Sequence, residues 1–465
     1  MPKQSLAVWV SEQHVGDLSV DPALNLFAFT YRQEWISNPN GFSLSDALPR
    51  ITKTQVTPEV HSAAVRSFFE NLLPEGRALE DAAAVHKISK SNTFGLLATL
   101  GREMPGAIRI LPGESQAEQE AAAMEPALRE VTHAELSERL RGRPELPFSI
   151  WDRKIRLSIP GYQDKLAVFM EGGKIFLVNG GPYASTHILK PEATERTLAG
   201  ITSNEFFCMR LAKRARLAVA DVELLHVPEP VLSVLRFDRM RATSSVSRIH
   251  VIDGCQALGL PPSLKYERPY GNAQEVRSIR DGASLPALFA LLDKSANPLI
   301  QKRELLRWVI FQALIGNADA HAKNLSFFSG PHGLSLAPAY DVVSSVSLNN
   351  GMLDNSFAMA IGDAFTHDEL GAYAWADFAH GCGLAPAFVG AEIKAMCASI
   401  RRSIDEVLRD AVAHGADAAH LAQARDVILG LVAVQERQAA MVKSVNRPAL
   451  DPETSPIKIR RERPG

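Results

Sequence analysis

The sequence predicts an α+β fold in which β-rich segments come first and a largely helical region follows. The first 31 residues contain three short runs rich in Val, Phe, Trp and Leu, separated by Gly, Asp and Pro, as in a small antiparallel sheet. Between residues 155 and 189, further apolar runs alternate with Gly-containing turns. Beyond residue 284, apolar residues recur at helical spacing, notably over 304–315 and 388–442. Separate β-rich and helical regions are typical of this fold class.

The chain has 465 residues, with 50 Lys and Arg against 52 Asp and Glu, a net charge of −2, and 46% hydrophobic residues. This length suits two or three domains, and the composition excludes a disordered chain or a small scaffold held by disulfides. The balanced charge provides no general basic field, so nonspecific nucleic-acid binding is not indicated.

The cysteines and the apolar runs both indicate an intracellular protein. The cysteines lie far apart, without a C-x-x-C pair, at Cys208, Cys255, Cys382 and Cys397. This pattern argues against a zinc cage or a disulfide framework and favours a reducing compartment. No targeting segment is apparent, and no apolar run approaches the roughly 18 residues of a membrane span. We therefore expect a cytoplasmic protein that binds no membrane.

Changes in composition divide the chain into five predicted segments. The stretch after residue 112 is rich in Ala, Glu and Gln and poor in large apolar groups, which is typical of a domain boundary. The end of the chain holds four prolines and is predicted to be a flexible tail. The segments are a first subdomain at 1–112, a connecting segment at 113–148, a β-rich lobe at 149–260, a helical lobe at 261–445 and the tail at 446–465.

The most informative polar residues follow the predicted helix at 304–315. The next residues read G-N-A-D-A-H-A-K-N, and the second Asp of interest, Asp341, lies 22 positions after Asp319. Phosphoryl transfer to a hydroxyl requires a carboxylate that accepts the proton and two oxygen ligands that hold Mg²⁺. Asp319, Asn324 and Asp341 supply these groups, and the Asp-to-Asn interval is that of a kinase catalytic loop. The alternative is that they are ordinary caps and turn formers.

His321 lies between this Asp and Asn. It is a metal ligand by residue type, but no second His or Cys stands at ligand spacing. We therefore favour a role in shaping the loop and contacting phosphate.

An upstream turn has the character of a phosphate-binding loop. The sequence S-I-P-G-Y-Q-D-K at 158–165 lies between two predicted strands, where backbone N–H groups can point at phosphates. Pro160 has no N–H, so the donors would come from Gly161 onward. The alternative is a plain β-hairpin turn.

Three more features follow in kinase order. Lys190 ends an apolar strand, as does the lysine that binds nucleotide phosphates in kinases, and the alternative is a solvated strand end. Residues 202–205 have the S/T-x-x-E form of a capping box, so Glu205 is either a helix cap or a partner of Lys190, and we favour the cap. The strand and turn at 232–238 are placed where a hinge between lobes would contact adenine.

Taken together, these motifs resemble the HipA-type serine/threonine kinase toxins of bacterial toxin-antitoxin systems. The first subdomain is similar to that family at F-F-E-N-L-L-P-E-G and at G-x-x-x-P-G-A-I. The remainder is similar at S-I-P-G-Y-Q-D-K, T-H-I-L-K-P-E, N-E-F-F-C-M-R-L-A, L-R-F-D-R, C-Q-A-L-G, G-N-A-D-A-H-A-K-N and L-A-P-A-Y-D. The resemblance covers nearly the whole chain except the tail.

The resemblance implies a two-lobed, protein-kinase-like fold that uses ATP and Mg²⁺, with the β-rich lobe binding the nucleotide. It implies that Asp319 is the catalytic base and that Asn324 and Asp341 are the metal ligands. Ser158 corresponds to a serine that the family autophosphorylates to inactivate itself. The implied nucleotide-binding residues are Gly161, Gln163, Lys165, Lys190, Leu235, Phe237, Gln256, His321, Lys323 and Tyr340.

The resemblance also implies partners. These are a protein substrate, with aminoacyl-tRNA synthetases as the known target class, a HipB-like helix-turn-helix antitoxin, and operator DNA bound mainly through that antitoxin. The basic clusters at 210–216 and 236–241 are interpreted as solvated surfaces. Two alternatives remain: a small-molecule or phosphoinositide-like lipid kinase, and a catalytically silent regulator that binds antitoxin and operator.

Overall fold

The structure is a computed structural model that describes residues 4–51, 56–112, 127–143, 147–152, 154–155, 163–348 and 354–445. Ser158, Gly161 and the predicted tail lie outside the described residues, as does much of the predicted connecting segment.

The N-terminal domain is an antiparallel sheet covered by helices. The sheet has the strand order β3-β2-β1-β4. Its strands are β1 (Gln4–Val10), β2 (Gln13–Asp21), β3 (Leu26–Tyr31) and β4 (Ile108–Leu111). The helices are α1 (Gln33–Ser37), α2 (Pro58–Glu70), α3 (Gly76–His86) and α4 (Thr93–Leu100). Helix α2 begins after Thr57, which caps it, with Pro58 in its first turn, and it buries Phe68 and Phe69.

The middle of the chain forms a second antiparallel sheet, with the strand order β11-β12-β10-β8-β9-β5. Its strands are β5 (Leu128–Val131), β8 (Leu166–Glu171), β9 (Lys174–Val178), β10 (His187–Pro191), β11 (Val222–His226) and β12 (Pro230–Leu235). The other elements are α5 (His133–Arg141), the hairpin of β6 (Ile150–Trp151) and β7 (Lys154–Ile155), and α6 (Ile201–Arg214). The sequence analysis did not predict β5 or α5.

The rest of the chain is mainly helical. Its strands are β13 (Arg239–Arg241), β14 (Val246–Arg248), β15 (Val251–Asp253), β16 (Ser326–Gly330) and β17 (Gly333–Leu336). Its helices are α7 (Gly254–Leu258), α8 (Leu285–Leu291), α9 (Pro298–Ile315), α10 (Ser345–Leu348), α11 (Ala372–Gly381), α12 (Pro386–Ala413) and α13 (Ala418–Ala439). None of the helices in the described ranges combines the length and apolar character needed to cross a membrane.

The largest hydrophobic core runs without interruption from the N-terminal domain into the helical lobe. It joins side chains of the first sheet, such as Leu18, to Phe69 on α2 and to Phe311 on α9. A separate cluster beneath the six-stranded sheet includes Phe148 and Leu166. Because the first domain shares its core with the helical lobe, burial of apolar surface holds the two together.

A buried ionic cluster also ties the N-terminal domain to the rest of the chain. Glu103, in the loop before β4, accepts hydrogen bonds from Arg248 at 2.8 Å and from Arg239 at 3.3 Å. Asp238 binds Arg236 at 2.7 Å and Arg239 at 2.8 Å. The prediction that residues 236–241 are a solvated surface is therefore wrong for Arg236 and Arg239, whose side chains are 2% and 1% exposed.

Gly106 is the second glycine of the G-x-x-x-P-G-A-I motif, and its surroundings explain why glycine stands there. Its N–H donates to the Asp238 carboxylate at 2.7 Å, and its carbonyl oxygen accepts from Arg239 at 2.8 Å. Its φ is 68°, and a Cβ atom there would lie 2.9 Å from the backbone of Val251. Only glycine meets both conditions, so the motif lets the loop approach the ionic cluster closely.

The charge of Glu103 depends on its arginine neighbours. Burial alone would raise the pKa of this carboxyl, but the guanidinium groups of Arg248, Arg239 and Arg236 lower it to about 2. The pKa of the folded state therefore lies below that of the unfolded chain. The carboxylate contributes stability above about pH 4.5, and this contribution is lost as the pH falls toward 2.

We expect Glu103→Gln to lower the free energy of unfolding by about 3–5 kcal/mol, because it leaves Arg248 without a counter-charge and leaves Asp238 as the only carboxylate beside Arg236 and Arg239 among the residues of this cluster. Glu80→Gln is the matched control, since the pair of Glu80 with Lys90 is more than half exposed, and it should change stability by less than about 1 kcal/mol. Urea unfolding measures both variants. The gap between Glu103→Gln and the wild type should shrink as the pH falls below about 4.5. Equal effects of the two substitutions would contradict this assignment.

Candidate active site

The loop that carries Asp319 is fixed by the end of helix α9. Gly316 terminates the helix with a φ of 72°, and a Cβ atom there would lie 3.1 Å from Val346 and from Leu431. The side chain of Asn317 donates to the Gln312 side chain at 2.9 Å and accepts the N–H of Asp319 at 3.1 Å. The first two residues of the motif therefore set the direction in which the chain leaves the helix.

Asp319 is exposed and is held from two sides. The hydroxyl of Tyr266 donates to Oδ1 of its carboxylate at 2.6 Å, and the side-chain nitrogen of Asn324 donates to its carbonyl oxygen at 2.9 Å. The Tyr266 ring stands edge-on to the ring of His321, with centroids 5.1 Å apart. One carboxylate oxygen is thus fixed by a phenol, and Oδ2 remains for an acceptor hydroxyl.

Lys190 lies between two carboxylates. Its Nζ atom donates to Oε1 of Glu205 on α6 and to Oδ1 of Asp341, each at 2.6 Å. Lys190 and Glu205 are almost completely buried. This group joins the six-stranded sheet, helix α6 and the segment after β17 at one point.

The preferred interpretation of Glu205 as a helix cap is wrong. Helix α6 begins after Gly200, and no side chain of its N-cap residue closes it. The carboxylate of Glu192 takes that role, because it accepts the N–H of Gly200 at 2.7 Å and that of Thr202 at 3.3 Å. Glu205 is free to pair with Lys190, which was the alternative interpretation.

Burial and charge act in opposite directions on this group. Burial would raise the pKa of Asp341, but Lys190 and Lys165 lower it far below its usual range. Burial would lower the pKa of Lys190, but Asp341 and Glu205 raise it. For Glu205 burial dominates, so its pKa is raised. Asp341 is therefore the carboxylate that stays ionised most firmly, as a metal ligand must.

Two cavities meet at this group. The larger, of about 760 Å³, is lined by residues that include Asp319 and Gln163, and the smaller, of about 120 Å³, is lined in part by predicted nucleotide-binding residues. Those lining the smaller cavity are Lys190, Leu235, Phe237, Gln256, His321, Lys323 and Tyr340. Lys165, Asn324 and Asp341 line both. Each predicted site residue that the structure describes thus faces one cavity or the other.

The smaller cavity has an aromatic wall. The rings of Phe237 and Tyr340 lie with centroids 5.7 Å apart, and the Tyr340 hydroxyl donates to the carbonyl oxygen of Lys323 at 2.7 Å. The N–H of Leu235 donates to the carbonyl oxygen of Asp221 at 2.8 Å, so a contact between Leu235 and adenine would have to use its carbonyl oxygen. An aromatic wall beside a strand end suits a planar base.

Three other predicted nucleotide ligands have distinct environments. Gln256 completes a capping box with Asp253 and donates its side-chain nitrogen to the carbonyl oxygen of Phe68 at 3.1 Å. Burial lowers the pKa of His321, and its Nδ1 atom is buried without a hydrogen-bond partner in the described part of the chain. The ammonium of Lys323 binds Asp253 at 2.6 Å. Burial thus favours the neutral form of His321, whereas the side chains of Gln256 and Lys323 are bonded to the protein.

Asn324 and Asp341 suit a magnesium ion by their donor atoms. The amide nitrogen of Asn324 is used by Asp319, so its oxygen is the end left for a ligand. Within the described ranges, no group of three or more His, Cys, Asp or Glu side chains could hold a metal. Mg²⁺ is commonly bound by one or two protein oxygens, with phosphate and water completing its shell, so this pair fits such a site.

Family models place the chain among known proteins. The model of the HipA N-terminal domain matches residues 6–111, and that of the HipA-like C-terminal domain matches residues 157–407. The chain belongs to the HipA family.

Individual HipA relatives agree with this assignment. The serine/threonine-protein kinase toxin HipA of Shewanella oneidensis is 36% identical over 407 residues, which cover 87% of this chain and 89% of that protein. The putative kinase Y4mE of Sinorhizobium fredii is 32% identical over 433 residues, covering 92% of this chain and 98% of that protein. A chain of the Shewanella oneidensis MR-1 complex of HipA, HipB and operator DNA matches with a TM-score of 0.82 and 33% identity, covering 95% of this chain and 100% of that one.

These matches confirm the predicted HipA-type fold and the enzyme class. The chain is a protein kinase of the serine/threonine class. Within this HipA-type site, sequence reasoning missed Tyr266, Asn71 and Glu75. The last two stand in the F-F-E-N-L-L-P-E-G motif, which was a usable signal, whereas Tyr266 lies in a stretch where no pattern marked it.

We expect Tyr266→Phe to lower kcat roughly tenfold and to leave the KM for ATP unchanged, because it removes only the hydrogen bond that orients the Asp319 carboxylate. Initial rates of phosphate transfer over a range of ATP concentrations measure both constants. Tyr373→Phe, on an exposed tyrosine of α11, is the control and should match the wild type. A wild-type kcat in Tyr266→Phe would show that the bond has no role in the reaction.

Glu205→Gln keeps the shape of the side chain but removes one of the two charges that hold Lys190. We expect weaker ATP binding, by about tenfold, since Lys190 is then drawn toward Asp341 alone. We also expect a smaller loss of stability than in Glu103→Gln, because the burial of Glu205 offsets much of its attraction to Lys190. Titration calorimetry with a non-hydrolysable ATP analogue and thermal unfolding separate the two effects. Unchanged nucleotide affinity would exclude Glu205 from the phosphate site.

Proposed function

We propose that this chain is the kinase toxin of a toxin-antitoxin pair, which transfers phosphate from ATP to a serine or threonine hydroxyl of a protein. The observation that carries the proposal is the Lys190 ammonium held between Glu205 and Asp341, with Asp319 and Asn324 on the adjoining cavity wall. Protein kinases share a lysine–carboxylate ion pair that lies beside a metal-binding Asp and a catalytic loop.

The smaller cavity would bind the nucleotide, and the larger would bind the acceptor. The nucleotide base would lie against Phe237 and Tyr340 in the smaller cavity, and Lys190 would bind the phosphate oxygens. Asn324 and Asp341 would hold Mg²⁺ where the cavities meet. A bound Mg²⁺ supplies positive charge that offsets the charge on the phosphates.

Asp319 would act on the acceptor from the larger cavity. With Oδ1 fixed by Tyr266, its Oδ2 can orient an acceptor hydroxyl and accept its proton. The cavity of about 760 Å³ leaves space there for a protein segment. On the basis of the resemblance to the HipA family, we expect the acceptor to be a translation protein, in particular an aminoacyl-tRNA synthetase.

Two further features of the proposal concern control. A HipB-like helix-turn-helix antitoxin would bind the chain and bring it to operator DNA, in keeping with the relative whose structure contains HipA, HipB and operator DNA. Phosphorylation of Ser158 would add roughly two negative charges to the segment that the resemblance to HipA kinases makes the phosphate-binding loop, and like-charge repulsion would then oppose ATP binding.

Phosphopeptide mass spectrometry of cells that express the wild-type chain or Asp319→Asn tests the proposal. We expect new phosphoserine or phosphothreonine sites on a translation protein and on Ser158 with the wild type, and neither with the variant. Asp341→Asn should behave like Asp319→Asn, because it removes the charge of a metal ligand. Growth inhibition should be lost in both variants while their thermal unfolding stays cooperative.

Other outcomes of the same experiment decide against the proposal. Label from ATP that appears in a lipid or metabolite, and not in protein, would favour a small-molecule or lipid kinase. Growth inhibition that persists in Asp319→Asn and Asp341→Asn would favour a non-catalytic regulator.

A further inference from the structure

Lys323 lines the smaller cavity together with Asn71 and Glu75, and its ammonium group is bonded to the protein. Its Nζ atom donates to the side-chain oxygen of Asn71 at 2.8 Å and to the carbonyl oxygen of Asn71 at 3.0 Å. It also donates to Asp253 at 2.6 Å, and Glu75 lies 3.6 Å away. These acceptors use all three N–H bonds of the ammonium, which is 2% exposed.

Asn71 is equally committed to this contact. It is 1% exposed, and its side-chain nitrogen donates to the carbonyl oxygens of Leu260 at 2.8 Å and Ser67 at 2.9 Å. Both ends of the amide are therefore used, and its oxygen cannot leave Lys323 without loss of a buried hydrogen bond. Asn71 belongs to the N-terminal domain, directly after helix α2.

Two more bonds link the same end of α2 to the region of the catalytic loop. Glu75 accepts from Lys265 at 2.5 Å, and the carbonyl oxygen of Lys265 accepts the N–H of Ala322 at 3.2 Å. Gln256 donates to the carbonyl oxygen of Phe68 at 3.1 Å. The loop is thus fixed by the N-terminal domain as well as by helix α9.

We propose that Asn71 and Glu75 are positioning residues of the active site, which act by holding Lys323 and thereby fix Asn324 and Asp319 in the catalytic arrangement. In this role Lys323 anchors the loop and does not bind the nucleotide, contrary to the contact that the resemblance implies for it. The first domain is then part of the catalytic unit, and displacement of α2 would disturb the catalytic loop. This inference rests on the proposed kinase function only for its effect on catalysis.

The first test compares Asn71→Ala with Ser62→Ala. Ser62, also on α2, accepts the N–H of Phe27 at 2.8 Å, so its removal costs the same domain one buried hydrogen bond without touching the loop. We expect Asn71→Ala to lower kcat on the order of 10- to 100-fold, as misplacement of catalytic groups does, with the affinity for a non-hydrolysable ATP analogue unchanged. Ser62→Ala should keep the wild-type kcat. A wild-type kcat in Asn71→Ala would overturn the proposal, and so would a loss of nucleotide affinity that accounts for the whole effect.

Asn71→Asp separates positioning from packing, and it also serves if Asn71→Ala fails to fold. It keeps an oxygen for Lys323 but loses the donors to Leu260 and Ser67. We expect it to retain more activity than Asn71→Ala, whereas equal loss in the two variants would overturn the role of the Lys323 contact.

Hydrogen exchange of the protein without nucleotide gives a readout that does not require kinase activity. The N–H groups of Ala322 and Asn324 are bonded in the loop, at 3.2 Å to Lys265 and at 2.9 Å to His321. They should exchange roughly tenfold faster in Asn71→Ala than in the wild type or Ser62→Ala. Unchanged exchange would overturn the inference. If the wild type transfers no phosphate, the proposed function fails, and the exchange rates still decide whether the N-terminal domain positions the loop.

Discussion

The active site depends on one buried ammonium group shared by two carboxylates. Lys190 comes from a strand, Glu205 from a helix and Asp341 from the segment after β17, and the donor-to-acceptor distances are 2.6 Å. Removing such charges from water is expensive, and their mutual attraction offsets this cost only when the geometry is good. The contact therefore forms only when the sheet, the helix and the catalytic segment are correctly placed relative to one another. The two cavities also meet at this contact, because Asp341 lines both of them.

The parts of the site that the sequence predicted are those whose chemistry is local. Asp319 and Asn324 lie on one loop, and their residue types and interval identify them without knowledge of the fold. The prediction for Glu205 failed because the S/T-x-x-E pattern assumes that the helix starts at its Ser or Thr. The helix starts earlier, and Glu192, which lies outside the pattern, accepts the free N–H groups at that end. Likewise, periodicity located α9, α12 and α13, but it missed β5 because that strand lies at the edge of its sheet and exposes polar residues.

Contacts between distant parts of the chain set the limit of what the sequence could show. The bond from Lys323 to Asn71 spans 252 residues, and the bond from Arg239 to Glu103 spans 136. No local pattern distinguishes a lysine or arginine that will be buried against a distant carboxylate from one on a solvated surface, since residue type and neighbours are alike in both cases. The solvated interpretation of Arg236 and Arg239 failed for this reason. The N-terminal motifs were visible as motifs, but only the fold shows that they contact the loop and the ionic cluster.

The catalytic loop itself combines two kinds of polar residue, and this accounts for the length of its motif. Asp319 and Asn324 line the cavity where transfer would occur, whereas the side chains of Asn317 and Lys323 are bonded to Gln312 and Asn71. Ordering each residue of a loop costs conformational entropy, so a loop without anchoring contacts would not hold Asp319 and Asn324 in a fixed relative position. Two anchors meet that requirement, Asn317 before Asp319 and Lys323 directly before Asn324, the first using helix α9 and the second using the N-terminal domain. A polar residue in such a motif is therefore assigned to ligand or to scaffold by where its side chain is bonded, and not by its place in the motif.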